Sequence, residues 1–508
     1  MSSSVKSSFF VSILTLVSSI ISFANQVIIA ANFGTGHEMD TYLLLTSFPF
    51  LVSGVLGSAF SFSLIPHLVT KSFGYFIQFT KIIITITFVL FLFFLLLYNF
   101  VIIDYYNLGN FKHIKILNVV IWSVFFITII FNVISCYFTS KAKFIVPVIL
   151  NFLPFIFSII SIIIFSKLGV LSIIIGLLFG YISAVSYSIV QFKKERIGIN
   201  EKDFKKEIID FLKSMKYSAL SMLTFSVFQI VDAYWGKKLG ESVISYLGYS
   251  QRIVIALGAL VISGPSAVLI PKLTEAYKKG DLDTYYRDTA TVIKLVFALT
   301  SFAALLGAFF SIDIVRIMFQ RGGFTEVSTR NVAGILPYIL IGMVFMLCVV
   351  ISFRSIFVQP ITYKTGIIGI LTFIIYFVLS GIMSNYFGTI GIALAYIFTW
   401  IIIFIITLKL LYKKDISFFT NDFFIFLFKQ VLALSIVYGV ASILRIFTLS
   451  AFKLMDDNII IKLIQISLVS LVSLIVYLFI SVKLVKIKEI IFLLNKIPFI
   501  NKWITSFS

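Results

Sequence analysis

Arg252 stands inside an apolar run over residues 243–270, and its side chain carries the most demanding chemistry in the chain. It lies about nine residues into that run, which at ~1.5 Å per residue is roughly 13 Å into a hydrocarbon layer about 30 Å thick. At that depth snorkelling does not reach water. An arginine there costs about 2.5–3.5 kcal/mol on insertion scales, so it must face a wet cavity or an anionic partner. Its planar fork of donors matches a diphosphate. The alternative is a structural ion pair with Asp232, near the end of the preceding apolar run.

Asp40 opens another run, where a carboxylate serves either as a helix cap or as a cation ligand. Asp232 either binds a coupling cation or ties two helices together. Lys294 and Lys429 each begin a run and snorkel to the interface. His37, His67 and His113 have no partner at helical i,i+4 spacing, so no metal site is expected. Phosphate-cradling glycine loops, dinucleotide turns and nucleophile elbows are missing from the sequence, which argues against ATP hydrolysis and against a cofactor.

These side chains must be positioned by membrane helices. A chain of 508 residues that is 60% hydrophobic and 12% charged, with mean hydropathy +1.10, cannot present a polar surface to water all round. The sequence predicts an all-α polytopic membrane protein with about 14 transmembrane helices of about 20 apolar residues each. They fall near residues 8–31, 40–66, 82–103, 116–138, 145–166, 169–192, 216–236, 243–270, 290–311, 330–354, 362–384, 388–411, 423–445 and 459–482. The first lacks the basic leader and small-residue cleavage site of a signal peptide and is expected to be retained. Cys136 and Cys348 both fall inside helices, so neither a disulfide nor a thiolate metal site is indicated.

Lys and Arg collect in the loops that stay cytoplasmic. With the N-terminus inside, roughly 27 basic residues lie on the cytoplasmic side and about 11 outside, which puts both termini in the cytoplasm. The net charge of +20 is thus topological, and no nucleic-acid partner is expected from charge dispersed over short loops. The densest cluster runs from Lys193 to Lys216 and includes an amphipathic stretch around Phe204, Ile208, Ile209 and Leu212, expected on the inner leaflet.

Internal repetition sets the domain plan. Gly34-Thr35-Gly36, Thr41-Tyr42-Leu43, Ser58-Ala59 and Leu64-Ile65-Pro66 return as Gly236…Gly240, Ser245-Tyr246-Leu247, Ser263-Gly264 and Leu269-Ile270-Pro271. The offset is about 205 residues, the mark of paired transporter halves. Leu168-Gly169 returns as Phe387-Gly388 at a slightly larger offset, which fits a longer outer loop around Arg316 to Arg330. The copies are related by a pseudo-two-fold axis along the membrane normal. The expected divisions are a six-helix lobe over 1–192, a cytoplasmic linker over 193–215 and a second six-helix lobe over 216–411. Two further helices follow over 412–482, then a basic amphipathic tail over 483–508. Pro49, Gly54 and Gly57 in the second helix, and Gly258, Gly264 and Pro265 in the eighth, break the helical pattern and mark a pair of gating helices around a central cavity.

The stretch Ser22-Phe23-Ala24-Asn25-Gln26 through Gly36, followed by Asp40, Pro49, Phe60-Ser61 and Pro66, resembles the N-terminal signature of the MurJ (MviN) lipid II flippase family. That family lies within the multidrug/oligosaccharidyl-lipid/polysaccharide exporter superfamily. Ser250-Gln251-Arg252-Ile253 through Ile270-Pro271 resembles its eighth helix, and Met318-Phe319-Gln320-Arg321-Gly322-Gly323-Phe324-Thr325 its outer-loop motif. The resemblance covers essentially the whole chain. It implies a transporter rather than an enzyme, in the bacterial cytoplasmic (inner) membrane. It further implies two lobes with alternating access, a groove on the last two helices for a polyprenyl tail, and a cationic cavity for an undecaprenyl-diphosphate-linked saccharide. A coupling ion or the membrane potential would drive the cycle.

Departures from the family pattern fall on the site itself. Asn25-Gln26 stands where the family has an Arg-Asp pair, the arginines of the second helix fall around Val52-Ser53-Gly54, and the following Glu-Gly falls at Gly57-Ser58. Arg252 is the cavity arginine that carries over, with Asn25, Gln26 and Ser53 as the expected neutral substrate contacts. Thr372-Phe373 and Tyr376-Phe377 replace the polar residues that some members use for sodium. A thinned cationic cavity fits a divergent lipid II flippase or a flippase for a capsule, O-antigen or exopolysaccharide unit. A drug/cation antiporter of the same superfamily would want an acidic cavity instead.

Overall fold

The computed structural model describes residues 3–109, 111, 113–192, 204–359, 363–412, 421–451, 459–487 and 489–491. The described residues form helices and connecting turns, and no strand occurs among them. Among the described residues, eleven helices are long and apolar enough to cross a membrane. Their outward faces carry the apolar side chains that lipid requires: Val89, Phe93 and Leu96 are all more than half exposed. The protein is a multi-pass membrane protein.

The count of eleven relates to the expected 14 through two features. The 49-residue helix Tyr363–Leu411 (α14) contains Gly388 at φ 56°, ψ −133°, so it is two helices joined at a kink where the eleventh and twelfth were expected. Phe204–Ser226 (α8) and Phe228–Leu239 (α9), with Val243–Lys278 (α10), occupy the seventh and eighth positions and lie outside the eleven. The first of these carries Lys205, Lys206, Glu207 and Lys213 in its opening turns.

That helix also changes the reading of the linker. Residues 193–203 lie outside the described residues, but from Phe204 on the amphipathic stretch is simply the start of α8. Part of its apolar face packs on protein, where the Phe211 ring lies 5.0 Å from that of Phe79 and 5.6 Å from that of His67, while Ile209 is 45% exposed. The expected outer loop over 316–330 is likewise partly helical, because Ser311–Phe319 (α12) extends into it.

Two compact units divide the chain. The first comprises Met1–Gly248, Phe319–Ser328 and Thr362–Val378, and the second Tyr249–Met318, Thr329–Ile361 and Leu379–Ser508. In the first unit Ser3–Phe33 (α1) and His37–Leu68 (α2) are followed by Phe73–Leu97 (α3), which runs through a π turn, Tyr98–Ile102, into the short Ile103–Tyr105 (α4). Ile114–Ser140 (α5), Ile145–Ile164 (α6) and Leu171–Phe192 (α7) complete the first half. Without a hydrophobic drive between helices in lipid, close backbone approach must do the packing. Gly176 and Gly180 of α7 press on the backbone of Ser158 and Pro154 of α6, and a Cβ at either glycine would overlap it. Aromatic stacking fills the space between α2, α3 and α5, where Trp122 lies parallel to Phe94 at 5.2 Å and meets Tyr98 edge-on at 5.1 Å.

In the second unit Leu282–Phe309 (α11) and Glu326–Ile356 (α13) precede the last pair, Asn421–Ala451 (α15) and Ile459–Phe479 (α16). The last pair is tied to α11 by a buried polar knot. Gln430 Nε2 donates to the carbonyl of Ala298 at 3.2 Å and to Ser301 Oγ at 2.8 Å, while the Tyr477 hydroxyl donates to the same carbonyl at 3.1 Å.

Backbone geometry records the internal repeat. Gly36 precedes α2 at φ 152°, ψ −173°, and Gly240 precedes α10 at φ 136°, ψ −171°. Gly169 at φ 62°, ψ −145° matches Gly388 at φ 56°, ψ −133°. A side chain would strain all four positions, and each pair falls at the register that the sequence repeat requires.

Candidate functional site

Arg252 lies in the third turn of α10, half-buried. Its guanidinium carbon sits 5.0 Å from the centre of the Tyr249 ring, and its Nη1 is buried with no hydrogen-bond acceptor among the described residues. A buried charged donor without an acceptor is costly. Such a group has the donor capacity for an anionic oxygen, and the cation–π contact with Tyr249 leaves its donors unused.

Asn25 and Gln26 lie on α1, Asn25 buried and Gln26 half-buried. Asn25 Oδ1 and Gln26 Oε1 are both buried acceptors that receive no hydrogen bond among the described residues. Ser53, buried on α2, returns its hydroxyl to the carbonyl of Phe50 at 3.2 Å. Ser53 is therefore spent on its own helix, while the two amides keep unmet acceptors. No hydrogen bond joins these three among the described residues.

Both candidate carboxylates are engaged by protein donors. Asp40 accepts from the backbone N–H of Ser245 at 2.8 Å and from the Ser245 hydroxyl, so it caps the first turn of α10 from the first turn of α2. The favour is returned: Glu241, just before α10, accepts from the N–H of His37, the first residue of α2, at 2.9 Å. Two repeat-related helix starts thus cap each other, with the positive ends of both dipoles neutralised. Glu38 adds a third tie by accepting from the N–H of Val170 at 2.8 Å. Asp232 on α9 accepts from the Tyr376 hydroxyl of α14. Thr372, one turn before Tyr376, donates to its own helix carbonyl at Ile368, 2.8 Å away.

The expected gates are helical throughout. α2 stays a single helix across Pro49 and Pro66. Gly54 is exposed with open space where a Cβ would go, Gly57 faces the Asn132 side chain, and buried Gly258 has ordinary contact distances to Leu347 and Met343. Gly264 and Pro265 lie within α10.

The sequence reading missed Lys141. Its ammonium donates to the carbonyls of Leu68, Val69 and Lys71 at 3.1, 3.2 and 2.8 Å, closing the C-terminal end of α2. A basic residue in a short loop gives no signal of such a cap until the fold is known.

The Lipid II flippase MurJ family profile matches residues 29–463. The chain belongs to the MurJ family. Similar curated relatives include the probable lipid II flippase MurJ of Rickettsia prowazekii, 24% identical over 203 residues, or 39% of this chain and 38% of that one. The corresponding protein of Buchnera aphidicola subsp. Schizaphis graminum is 26% identical over 235 residues, 45% of either chain. Each match therefore spans less than half of the relative's length.

A solved structure of the lipid II flippase MurJ in an inward closed conformation is similar at TM-score 0.73 and 22% identity, covering 93% of this chain and 98% of that one. An inward-facing multidrug resistance MATE transporter of the MOP superfamily is similar at TM-score 0.63 and 14% identity, covering 80% and 99%. The fold is that of MurJ and MATE transporters. The matching family is described as that of the lipid II flippase MurJ.

Two of the MurJ-like motifs meet in space. The N–H of Gly323 in the outer-loop motif donates to the carbonyl of Ala31 at 2.6 Å, and a Cβ at Gly34 would strike the Gly323 carbonyl. Thr35 and Ser328 share a 2.7 Å hydrogen bond between hydroxyls, and the Phe23 and Phe319 rings lie 6.3 Å apart. The loop is clamped on the end of α1 by backbone contact that only glycine permits.

Proposed function

We propose that the chain flips an undecaprenyl-diphosphate-linked saccharide of the lipid II type from the inner to the outer leaflet by alternating access. Family membership supports the substrate class. The observation that carries the site is Arg252, a half-buried guanidinium whose Nη1 has no acceptor among the described residues, and we assign it the diphosphate. Asn25 and Gln26 offer acceptors that suit the hydroxyl and N–H donors of a sugar. The mutual caps Asp40–Ser245 and Glu241–His37 hold the starts of α2 and α10 together within the first unit. In this reading Asp40 and Asp232 serve as ties; Gly54 supplies bending in α2, and α15 and α16 accompany the lipid tail. Both termini are cytoplasmic, and the membrane is the bacterial inner membrane.

The test is complementation in cells depleted of their essential lipid II flippase, scored by growth and by external accessibility of lipid II. Rescue by the wild type and loss of rescue in a normally expressed Arg252→Ala variant is the expected result. Failure of the wild type despite good membrane expression would redirect the substrate to a surface-polysaccharide unit. Normal flipping by Arg252→Ala would remove that residue from the site.

A further inference from the structure

The first unit holds a cleft whose lining includes none of the residues assigned to the substrate. It has a volume of about 280 Å³ and lies between α2, the end of α3, α9 and the start of α14, with walls that include Phe48, Ile102, Val231 and Phe373. Phe373 is 40% exposed, so the cleft is open at that wall. Tyr106 and Tyr234 line the cleft, and the exposed Lys238 sits one turn beyond Tyr234. The Lys238 ammonium lies 4.4 Å from the Tyr234 ring centre and 4.6 Å from that of Trp235, and it donates to the Tyr234 hydroxyl at 2.9 Å. An ammonium has three donors, so this anchoring leaves capacity for an anion.

A second feature points the same way. Along this wall α3 gives way to the π turn Tyr98–Ile102, and Leu97, Tyr98 and Ile102 all line the cleft. Isolated π turns within helices often mark functional sites, because the widened turn re-aims side chains and opens space. An apolar slot with a lysine beside it matches an amphiphile that has one anionic head. It does not match a sugar, which would need polar walls, or an organic cation, which the lysine would repel.

We propose that this cleft binds an anionic glycerophospholipid, with an acyl chain along Phe48, Ile102 and Phe373 and its phosphate on Lys238 and the Tyr234 hydroxyl. The site takes a lipid of the bilayer itself and is separate from the Arg252 site.

Trp235 reports on the cleft, since it contacts Tyr234 and Phe377 and its Nε1 donates to the Phe377 carbonyl at 3.0 Å. The full chain is reconstituted with increasing fractions of dibrominated phosphatidylglycerol or dibrominated phosphatidylcholine, and tryptophan quenching is recorded. Saturable quenching is expected at about fivefold lower mole fraction for phosphatidylglycerol, the contribution of one lysine near a phosphate. That preference should vanish in Lys238→Gln, an exposed position that leaves the fold intact, and the saturable component should vanish in Trp235→Phe. Equal quenching by both lipids, or a preference unchanged in Lys238→Gln, would overturn the proposal. Relief of quenching by undecaprenyl phosphate at substoichiometric amounts would also overturn it, by assigning the cleft to a polyprenyl chain.

Discussion

A fork of fixed donors and a point charge are different tools, and the Arg252 position distinguishes them. Arg252→Lys keeps the cation but loses bidentate geometry and the stacking on Tyr249. We expect it to express normally and to flip substrate far more slowly than the wild type, measured as lipid II exposed per unit time. At the helix starts the prediction concerns stability. Asp40→Ala removes the cap on α10, at about 1 kcal/mol, whereas Ser245→Ala removes only the hydroxyl bond and leaves the N–H of residue 245 donating to Asp40. Because both variants break the shared hydroxyl contact, the double variant should fall short of the sum by at least ~0.5 kcal/mol in thermal unfolding of the purified protein. Additive effects would show that the two residues act separately.

Legibility at this scale depended on contrast. A lone arginine in an apolar run is visible from sequence, as is an aspartate at a helix start. Tyr376 was not visible as the partner of Asp232, since the chain has 23 tyrosines and this pair is separated by 144 positions.

Among the helices, the glycines separate hinge from packing. At Gly54 a methyl group meets open space, so Gly54→Ala should hold or raise stability by up to about 1 kcal/mol through helix propensity. If α2 bends there during the cycle, the same change should slow flipping, so stability and transport move in opposite directions. Gly180→Ala should do the reverse. Its Cβ would collide with the Pro154 backbone, costing about 1–3 kcal/mol by overpacking, and the loss should show as lower melting temperature and expression. Helix existence was readable because each span is a long apolar run. The boundary of α8 was not, because its amphipathic start reads equally well as an interfacial helix until Phe211 is seen against Phe79 and His67. The helix in the outer loop was hidden by its mixed charge, Asp313 and Arg316 within nine residues.

For the whole molecule, the paired glycines at 36 and 240, and at 169 and 388, tie the repeat to backbone geometry. Topology is the remaining prediction. Cys136 and Cys348 are buried, so single cysteines can be added without removing them. A cysteine at exposed Lys279 should react with an impermeant maleimide only in inverted vesicles, and one at exposed Lys238 only in intact spheroplasts. Labelling with the opposite sidedness would invert the proposed orientation. The repeat itself was readable because its turn glycines recur in sequence. The gathering of Phe319–Ser328 with the first 248 residues was not, since it depends on backbone contacts that leave no compositional trace.

The clamp between the end of α1 and the Gly322-Gly323 turn also has a consequence in time. Thr35 and its partner Ser328 are 293 positions apart, so at synthesis rates of about 5–20 residues per second the clamp cannot close until roughly 15–60 s after residue 35 emerges. The first helix thus spends most of translation inserted but unlocked. Nascent chains arrested before Gly322 should leave the Ala31–Gly34 segment open to protease, and chains arrested after α13 should shield it.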